Sequence, residues 1–361
     1  MRLVVKVGTS SLTDEEGRVD SEAVGRLAVE VAKVRAMDHQ VVLVSSGAIA
    51  AGLPALGWSA GQRPRDPRTL QAVSAVGQAH LLGEWNRAFE GHGLVSGQVL
   101  LAPLDFGHRA QYLQARSTLE RLLEMGVVPV VNENDAIADD EIRFGDNDRI
   151  AALVAQLVGA ELLVLLTDTA GLMDADPRLT SDAALVEEVA EIDRELERVS
   201  AGAGTARGSG GMSSKLSAAK MASWSGVRCL IANAARADVL ADAINGERGV
   251  GTWVPAHERR LGARKLWIAF AMPSAGRLVI DDGAVRALTV SGRSLLPAGV
   301  VEVQGDFSAD DAVEVLDSTG TVVAKGLVRA GSDEAARAAG RRSDEVDLDE
   351  LIHRDDLVVL S

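Results

Sequence analysis

Gly208-Ser209-Gly210-Gly211-Met212-Ser213-Ser214-Lys215 joins a glycine-rich turn to two hydroxyls and a lysine, and an alanine-rich helical stretch follows directly. These residue types suit an anion such as a phosphoryl group. Glycines let consecutive N–H groups turn toward one anion, a helix start adds the positive end of its dipole, and the lysine brings a full charge. A plain glycine-rich linker has the same composition. The P-loop spacing is not met, because Met212-Ser213-Ser214 separate the last glycine from Lys215 where that motif needs Gly-Lys-Ser/Thr in sequence. Nor does Gly202-Ala203-Gly204 fit a dinucleotide fingerprint, since it follows a helix expected over residues 192–199 and not a strand. Nicotinamide chemistry is disfavoured.

Four further segments carry chemistry. Lys6 lies in an apolar run that ends Val7-Gly8-Thr9-Ser10-Ser11, so a cation and several hydroxyls reach the end of a strand. Burying that lysine requires a partner anion, unless the strand lies at a sheet edge with Lys6 in solvent. Val41-Val42-Leu43-Val44 runs through Ser45-Ser46-Gly47 into a second helical stretch. Free N–H groups there suit a carboxylate, with Ser46 as an extra donor; helix capping by Ser45 or Ser46 uses the same residues. Asn132-Glu133-Asn134-Asp135 follows one apolar run, and Gly145-Asp146-Asn147-Asp148 precedes a helix. Such acidic, amide-rich clusters can grip an ammonium group and orient lysines, and they also form turns and caps. Thr167-Asp168 at the end of another run can hydrogen-bond a nucleotide or close a turn.

The elements that must position these groups alternate. Near-continuous apolar runs at residues 3–7, 41–45, 95–101, 127–131, 162–167 and 228–232 read as strands, and residues 21–37, 69–89, 109–125 and 148–158 have helical periodicity. Strands of this kind belong to parallel sheets covered on both faces, so the fold class is α/β, an open, mostly parallel sheet sandwiched by helices. Open sheets of this class bind ligands at the carboxyl ends of their strands. The pattern changes after Asn233, passing a glycine-rich turn at Gly249-Val250-Gly251-Thr252. Short alternating runs at 277–280, 299–303, 312–316 and 321–324 then mark a small, mostly antiparallel β domain. The expected division is 1–254, a linker at 255–275, and 276–361.

Composition narrows the classes. The chain has 361 residues, 47% of them hydrophobic, and a net charge of −15, which disfavours a generally nucleic-acid-binding surface. Residues 276–361 hold 17 acidic and 9 basic side chains, a net charge of −8, so RNA binding by this tail is disfavoured as well. The single cysteine, Cys229, excludes an internal disulfide and reads as a small buried hydrophobe. The six histidines show no close metal-ligand spacing, so no metal site is expected. No charged-then-apolar leader and no bilayer-length apolar run is present, so the expected location is the cytoplasm, without a membrane partner.

Together, Lys6-Val7-Gly8-Thr9-Ser10, Ser45-Ser46-Gly47-Ala48-Ile49-Ala50-Ala51-Gly52, Asn132-Glu133-Asn134-Asp135, Gly145-Asp146-Asn147-Asp148 and Gly210-Gly211-Met212-Ser213-Ser214-Lys215 resemble the amino-acid kinase family over nearly the whole chain. The likeness is strongest to its glutamate-phosphorylating members, and the tail resembles a PUA domain. The resemblance implies transfer of the γ-phosphoryl of ATP to the side-chain carboxylate of L-glutamate, the first step of proline synthesis. It also implies Mg2+ carried in with the nucleotide. It assigns Lys6, Lys215 and Asp148 to catalysis, Ser46, Asp135 and Asn147 to glutamate, and Lys6, Thr167, Asp168, Ser209, Gly210, Gly211, Met212, Ser213, Ser214 and Lys215 to ATP. Ser209 stands where the family usually has Thr, and Met173 where Tyr is common. Proline as feedback inhibitor, a glutamyl phosphate reductase as recipient of the product, and a homo-oligomer are further implications. Kinases of acetylglutamate, aspartate or carbamate share the fold, and an RNA-binding protein is the rival from another class, because PUA domains commonly bind RNA.

Overall fold

The computed structural model describes residues 1–106, 108–137, 147–175, 180, 182–193, 196, 211–258, 260–342 and 345–360. Gly145, Asp146, Gly208, Ser209, Gly210 and much of the helix expected over 192–199 lie outside these residues. Two compact units divide the chain, Met1–Arg260 and Leu261–Ser361.

In the first unit the described elements are β1 (Arg2–Val7), α1 (Ser21–Ala36), β2 (Gln40–Ser45), α2 (Ala48–Ala55), α3 (Pro67–Glu90), β3 (Ser96–Leu101), α4 (Arg109–Glu124), β4 (Val128–Glu133), α5 (Asn147–Leu157), β5 (Leu162–Thr167), α6 (Met212–Trp224), β6 (Arg228–Asn233), α7 (Val239–Asn245) and β7 (Gly251–Val254). The sheet order is β3-β4-β2-β1-β5-β6-β7. All neighbours run parallel except β6 and β7. The apolar runs therefore form the expected parallel sheet, and their two-sided burial explains why they lack alternation.

Alternation within β1 sorts the layers. Leu3, Val5 and Val7 join a core with Leu27 and Val31 of α1, Trp85 and Phe89 of α3, and Leu240 of α7. Lys6 points to the opposite face, where it meets the start of α5. On that face the alanine-rich helices α5 and α6 pack closely, with Ala151, Ala152, Ala155, Ala218, Ala219 and Ala222 almost fully buried. Helix starts are set locally: the Asp20 carboxylate accepts from the N–H groups of Glu22 and Ala23, and Asp66 caps α3 just before Pro67.

β1 is flanked by β2 and β5, so Lys6 lies on an interior strand with Asp148 as its partner anion, and the edge alternative does not hold. Gly251-Thr252, expected in a turn, begins the antiparallel strand β7, where Thr252 Oγ1 accepts from the Leu172 N–H at 2.8 Å. Its signal was hidden because four residues are too few for a period. Helix α7 was not expected at all.

The second unit has its own sheet, built from β8 (Gly276–Ile280), β9 (Val300–Gly305), β10 (Ala312–Leu316), β11 (Val322–Leu327) and β12 (Leu357–Val359), in the order β12-β11-β10-β8-β9. It is mostly antiparallel, as expected, but β8 and β10 pair in parallel. Leu278, Ile280, Val313, Val315, Leu351 and Ile352 form its core. Within the stretch read as linker, Ala263–Leu266 is helical, and Leu266 and Ile268 are fully buried.

Candidate functional site

β1, β2, β4 and β5 end side by side, so their last residues converge on one edge of the sheet. Asp148, in the first turn of α5, is 1% exposed. Lys6 Nζ lies 2.7 Å from its Oδ1, and Lys215 Nζ, one turn into α6, lies 3.4 Å from its Oδ2. The Ser214 hydroxyl donates to Oδ2 at 2.6 Å. Burial pushes the Asp148 carboxyl up, but Lys6 and Lys215, with the hydrogen bonds from Lys6 and Ser214, outweigh it and hold its pKa at about 2. Burial pushes the Lys215 amine below its ordinary value; Asp148 opposes that shift and Lys6 adds to it. Two lysines thus share one buried carboxylate, and Asp168 adds a second negative charge toward Lys215. Lysines held in place at a sheet edge in this way are suited to meeting an anionic group.

The amide cluster lies beside it. Asn147 Nδ2 donates to Asn132 Oδ1 at 2.9 Å and to Ser46 Oγ at 3.3 Å, while Asn147 Oδ1 accepts from the Glu133 N–H at 3.1 Å. Helix capping by Ser45 or Ser46, left open by the sequence, is not what the structure shows. The N-cap of α2 is Gly47, with φ +105° and no side-chain cap. Ser45 Oγ instead accepts from Trp85 Nε1 at 2.9 Å. The N–H groups at the head of α2 are thus left without a side-chain acceptor. Asp135, in a short 3-10 turn after β4, is buried and receives the Ser74 hydroxyl. Burial pushes its pKa up and the Ser74 hydrogen bond opposes the rise. A cavity of about 710 Å3 is lined by Ser46, Asn132, Asp135, Asn147 and Asp168, with Arg63 and Asp14, Glu15 and Glu16 on its wall.

Toward β5 and β6, Thr167 Oγ1 donates to Asp168 Oδ1 at 3.1 Å, and Asn233 Nδ2 donates to the Asp168 carbonyl at 3.3 Å. The N-cap of α6, Gly211, is extended and contributes no side-chain cap, so the N–H groups of Met212 and Ser213 open that helix without one. The structure thus brings Lys6, Ser46, Asp135, Asn147, Asp148, Thr167, Asp168, Ser214 and Lys215 to one sheet edge. Ser209 and Gly210 lie outside the described residues.

Sequence reasoning missed Ser74 and Gln78, which face the site from α3. Gln78 Oε1 accepts from Asn132 Nδ2 at 3.2 Å, and its Nε2 reaches the Glu133 carbonyl at 3.3 Å. Two polar residues four apart, both buried in an otherwise amphipathic helix, were the available signal. Gly77 between them was also missed. A Cβ there would overlap the Ala48 carbonyl oxygen and lie 2.6 Å from the Gly52 nitrogen, so α2 and α3 cross in near backbone contact.

A parallel sheet with two lysines and a carboxylate converging at its carboxyl edge, beside an open helix start, has the architecture of a phosphoryl-transfer enzyme. The sequence pattern of the amino acid kinase family matches residues 1–233, and that of the PUA domain matches residues 276–348. The chain belongs to the amino acid kinase family. It is 47% identical to the glutamate 5-kinase of Thioalkalivibrio sulfidiphilus, covering 99% of this chain and 97% of the relative, and 46% identical to that of Ralstonia nicotianae over the same shares. In fold it is similar to a carbamate kinase from Giardia lamblia bound to AMP-PNP, with a TM-score of 0.50 and 20% identity, covering 70% of this chain and 98% of that one.

Proposed function

We propose that the chain catalyses the glutamate 5-kinase reaction, phosphorylating the side-chain carboxylate of L-glutamate with ATP to give L-glutamyl 5-phosphate and ADP, the step that opens proline synthesis. The observation that carries this reading is the buried trio in which Asp148 holds both Lys6 and Lys215, in a chain whose full-length relatives are glutamate 5-kinases.

The chemistry asks little of the protein as a base. A γ-carboxylate with a pKa of about 4.3 is already ionised at neutral pH and attacks directly. Its oxygen forms a bond to the γ-phosphorus as the bond to the β-phosphate oxygen breaks, so no proton has to move. Bound ATP supplies the electrophilic phosphorus. What remains is to bring two anions together and offset the charge that spreads over the transferring group, which is positioning and electrostatics.

Lys6 and Lys215 meet that charge from two sides, and Asp148 keeps both amines aimed and supports the charge on Lys215. Ser46, Asn147 and the head of α2 hold a carboxylate of glutamate, and Asp135 takes its ammonium group. Thr167, Asp168 and residues 209–215 hold the nucleotide. Among the described residues no three His, Cys, Asp or Glu side chains are placed together to ligate a metal. Mg2+ would enter as the counter-ion of the triphosphate and offset its charge, asking for few protein ligands.

The catalytic segment is 1–254 and the PUA-like segment 276–361, joined through 255–275. Proline binds at or overlapping the glutamate pocket as a feedback ligand, the labile product passes to a reductase, and the chain acts as a homo-oligomer in the cytoplasm. No described helix is long and apolar enough to cross a membrane. The test is a substrate panel coupled to ADP release, with glutamate, acetylglutamate and aspartate: turnover confined to glutamate is expected, and preference for either other acid sinks the reading. Proline at millimolar level should raise the glutamate KM in the same assay.

A further inference from the structure

A serine inside a helix ordinarily returns its hydroxyl to the carbonyl four residues back. Ser74, in the middle of α3, donates instead to the Asp135 carboxylate on a different element, Oγ to Oδ2 at 2.6 Å. Ser74 is 1% exposed and Asp135 7%. A hydroxyl has one proton, so this contact fixes Oδ2 on the α3 side and leaves Asp135 otherwise facing the cavity it lines. Charge-assisted bonds of this kind are short and about twice as strong as neutral ones.

We propose that Ser74 is a positioning residue for substrate recognition, holding the Asp135 carboxylate toward the ammonium group of the amino acid in the cavity. The inference rests on the glutamate reading above and adds to it a residue on α3, outside the strand-end motifs. Helix α3 grips the site directly at two points one turn apart: Ser74 on Asp135, and Gln78 on Asn132 and the Glu133 carbonyl. The intervening Gly77 lets α3 approach α2 closely enough for both contacts to form.

The same contact matters for titration. Asp135 is buried, which disfavours its charged form, and the Ser74 hydrogen bond pulls the other way. The other charged groups around the site are Glu133 on β4, Asp148 with Lys6 and Lys215 at the head of α5, and Asp14, Glu15, Glu16, Arg63 and Asp168 on the cavity wall. Ser74 and Gln78, the residues that α3 presents here, do not titrate. Removing the hydroxyl therefore raises the pKa of Asp135 further, and the acidic limb of kcat/KM moves to higher pH.

The experiment compares full-length wild type, Ser74→Ala, Ser74→Thr and Ser74→Cys in steady-state kinetics with glutamate from pH 5.5 to 9. Glutarate, which lacks the ammonium group, serves as a competitive inhibitor. For Ser74→Ala, a rise of about tenfold in glutamate KM is expected, with kcat within about threefold, unchanged glutarate affinity and an acid limb at higher pH. Ser74→Thr, which keeps the donor, restores the wild-type pattern, and Ser74→Cys, a weaker donor of similar size, falls between and remains informative if the alanine variant does not fold. Equal weakening of glutamate and glutarate, or an unmoved KM and pH profile, overturns the proposal while leaving the glutamate reading intact. Wild type that fails to phosphorylate glutamate overturns both.

Discussion

Lys6 on the central strand and Asp148 at the head of α5 lie 2.7 Å apart with almost no solvent on either side chain. Asp148 takes a second ammonium, that of Lys215, on its other oxygen. One carboxylate thus holds two cations that the sequence separates by most of the catalytic unit. Replacing it, as in Asp148→Asn, takes from both buried amines the carboxylate they share, which costs about 3–5 kcal/mol of stability. It also removes the carboxylate that most supports the charge on Lys215, leaving the weaker influence of Asp168. The Lys215 pKa falls further, so the basic limb of the pH-rate profile should move to lower pH, and kcat at pH 8 should fall at least about a hundredfold. An unchanged basic limb would show that Lys215 does not depend on Asp148.

Acid should probe the same carboxylate in the wild type. The Asp148 pKa is about 2 in the folded chain, against 3.8 for the free side chain, so the unfolded state binds more protons between those values. Its contribution to stability is complete above about pH 4–5 and is lost as the pH falls toward 2. Urea unfolding from pH 6 to pH 2.5 should therefore show a steeper loss in wild type than in Asp148→Asn. Parallel curves would remove Asp148 from the acid response.

Gly77→Ala is expected to act without touching any ligand. Its methyl would meet the Ala48 carbonyl and the Gly52 backbone, neither of which can rotate away. A loss of about 3 kcal/mol is expected, at the upper end for overpacking, because backbone must move. Glutamate binding should weaken along with it, since α2 begins at the Ser46-Gly47 turn. Thermal unfolding with and without glutamate checks both parts; a midpoint within a degree or two of wild type would contradict the close crossing.

Much of this architecture was legible because the apolar runs that form β1, β2, β4 and β5 are long and two-sided, and the groups that do chemistry stand at their ends. The resemblance then placed Asp148 against lysines more than sixty residues away, which no local pattern could do. What stayed hidden was set by tertiary contact. Gly251-Thr252 reads as a turn but pairs with β6 because Gly251 is the residue that fits against the Ile231 carbonyl. Ser46 reads equally as a ligand donor or a cap, and only the left-handed Gly47, which takes the cap position and frees the hydroxyl for Asn147, decides between them. Ser74 and Gln78 sit in a helix whose periodicity explains their burial but not their partners.

Gln78→Leu tests the second grip of α3. The substitution keeps the volume but strands the Asn132 amide, at about 1–3 kcal/mol, and takes one donor from the Glu133 carbonyl. Asn147, held by Asn132, should lose its aim, so the glutamate KM should rise about tenfold or more while the ATP KM stays within about twofold. Equal effects on both substrates would mean that Gln78 supports the sheet edge in general.

The central claim is that Lys6 and Lys215 act on the same phosphoryl group in flight. The most direct measurement is trapping of the acyl phosphate as a hydroxamate by wild type, Lys6→Ala and Lys215→Ala at saturating glutamate and ATP. The account predicts a fall in kcat of about a thousandfold for each lysine, with substrate affinities changed far less, because the interaction strengthens as charge spreads in the transition state. Near-normal hydroxamate formation by either variant would contradict it.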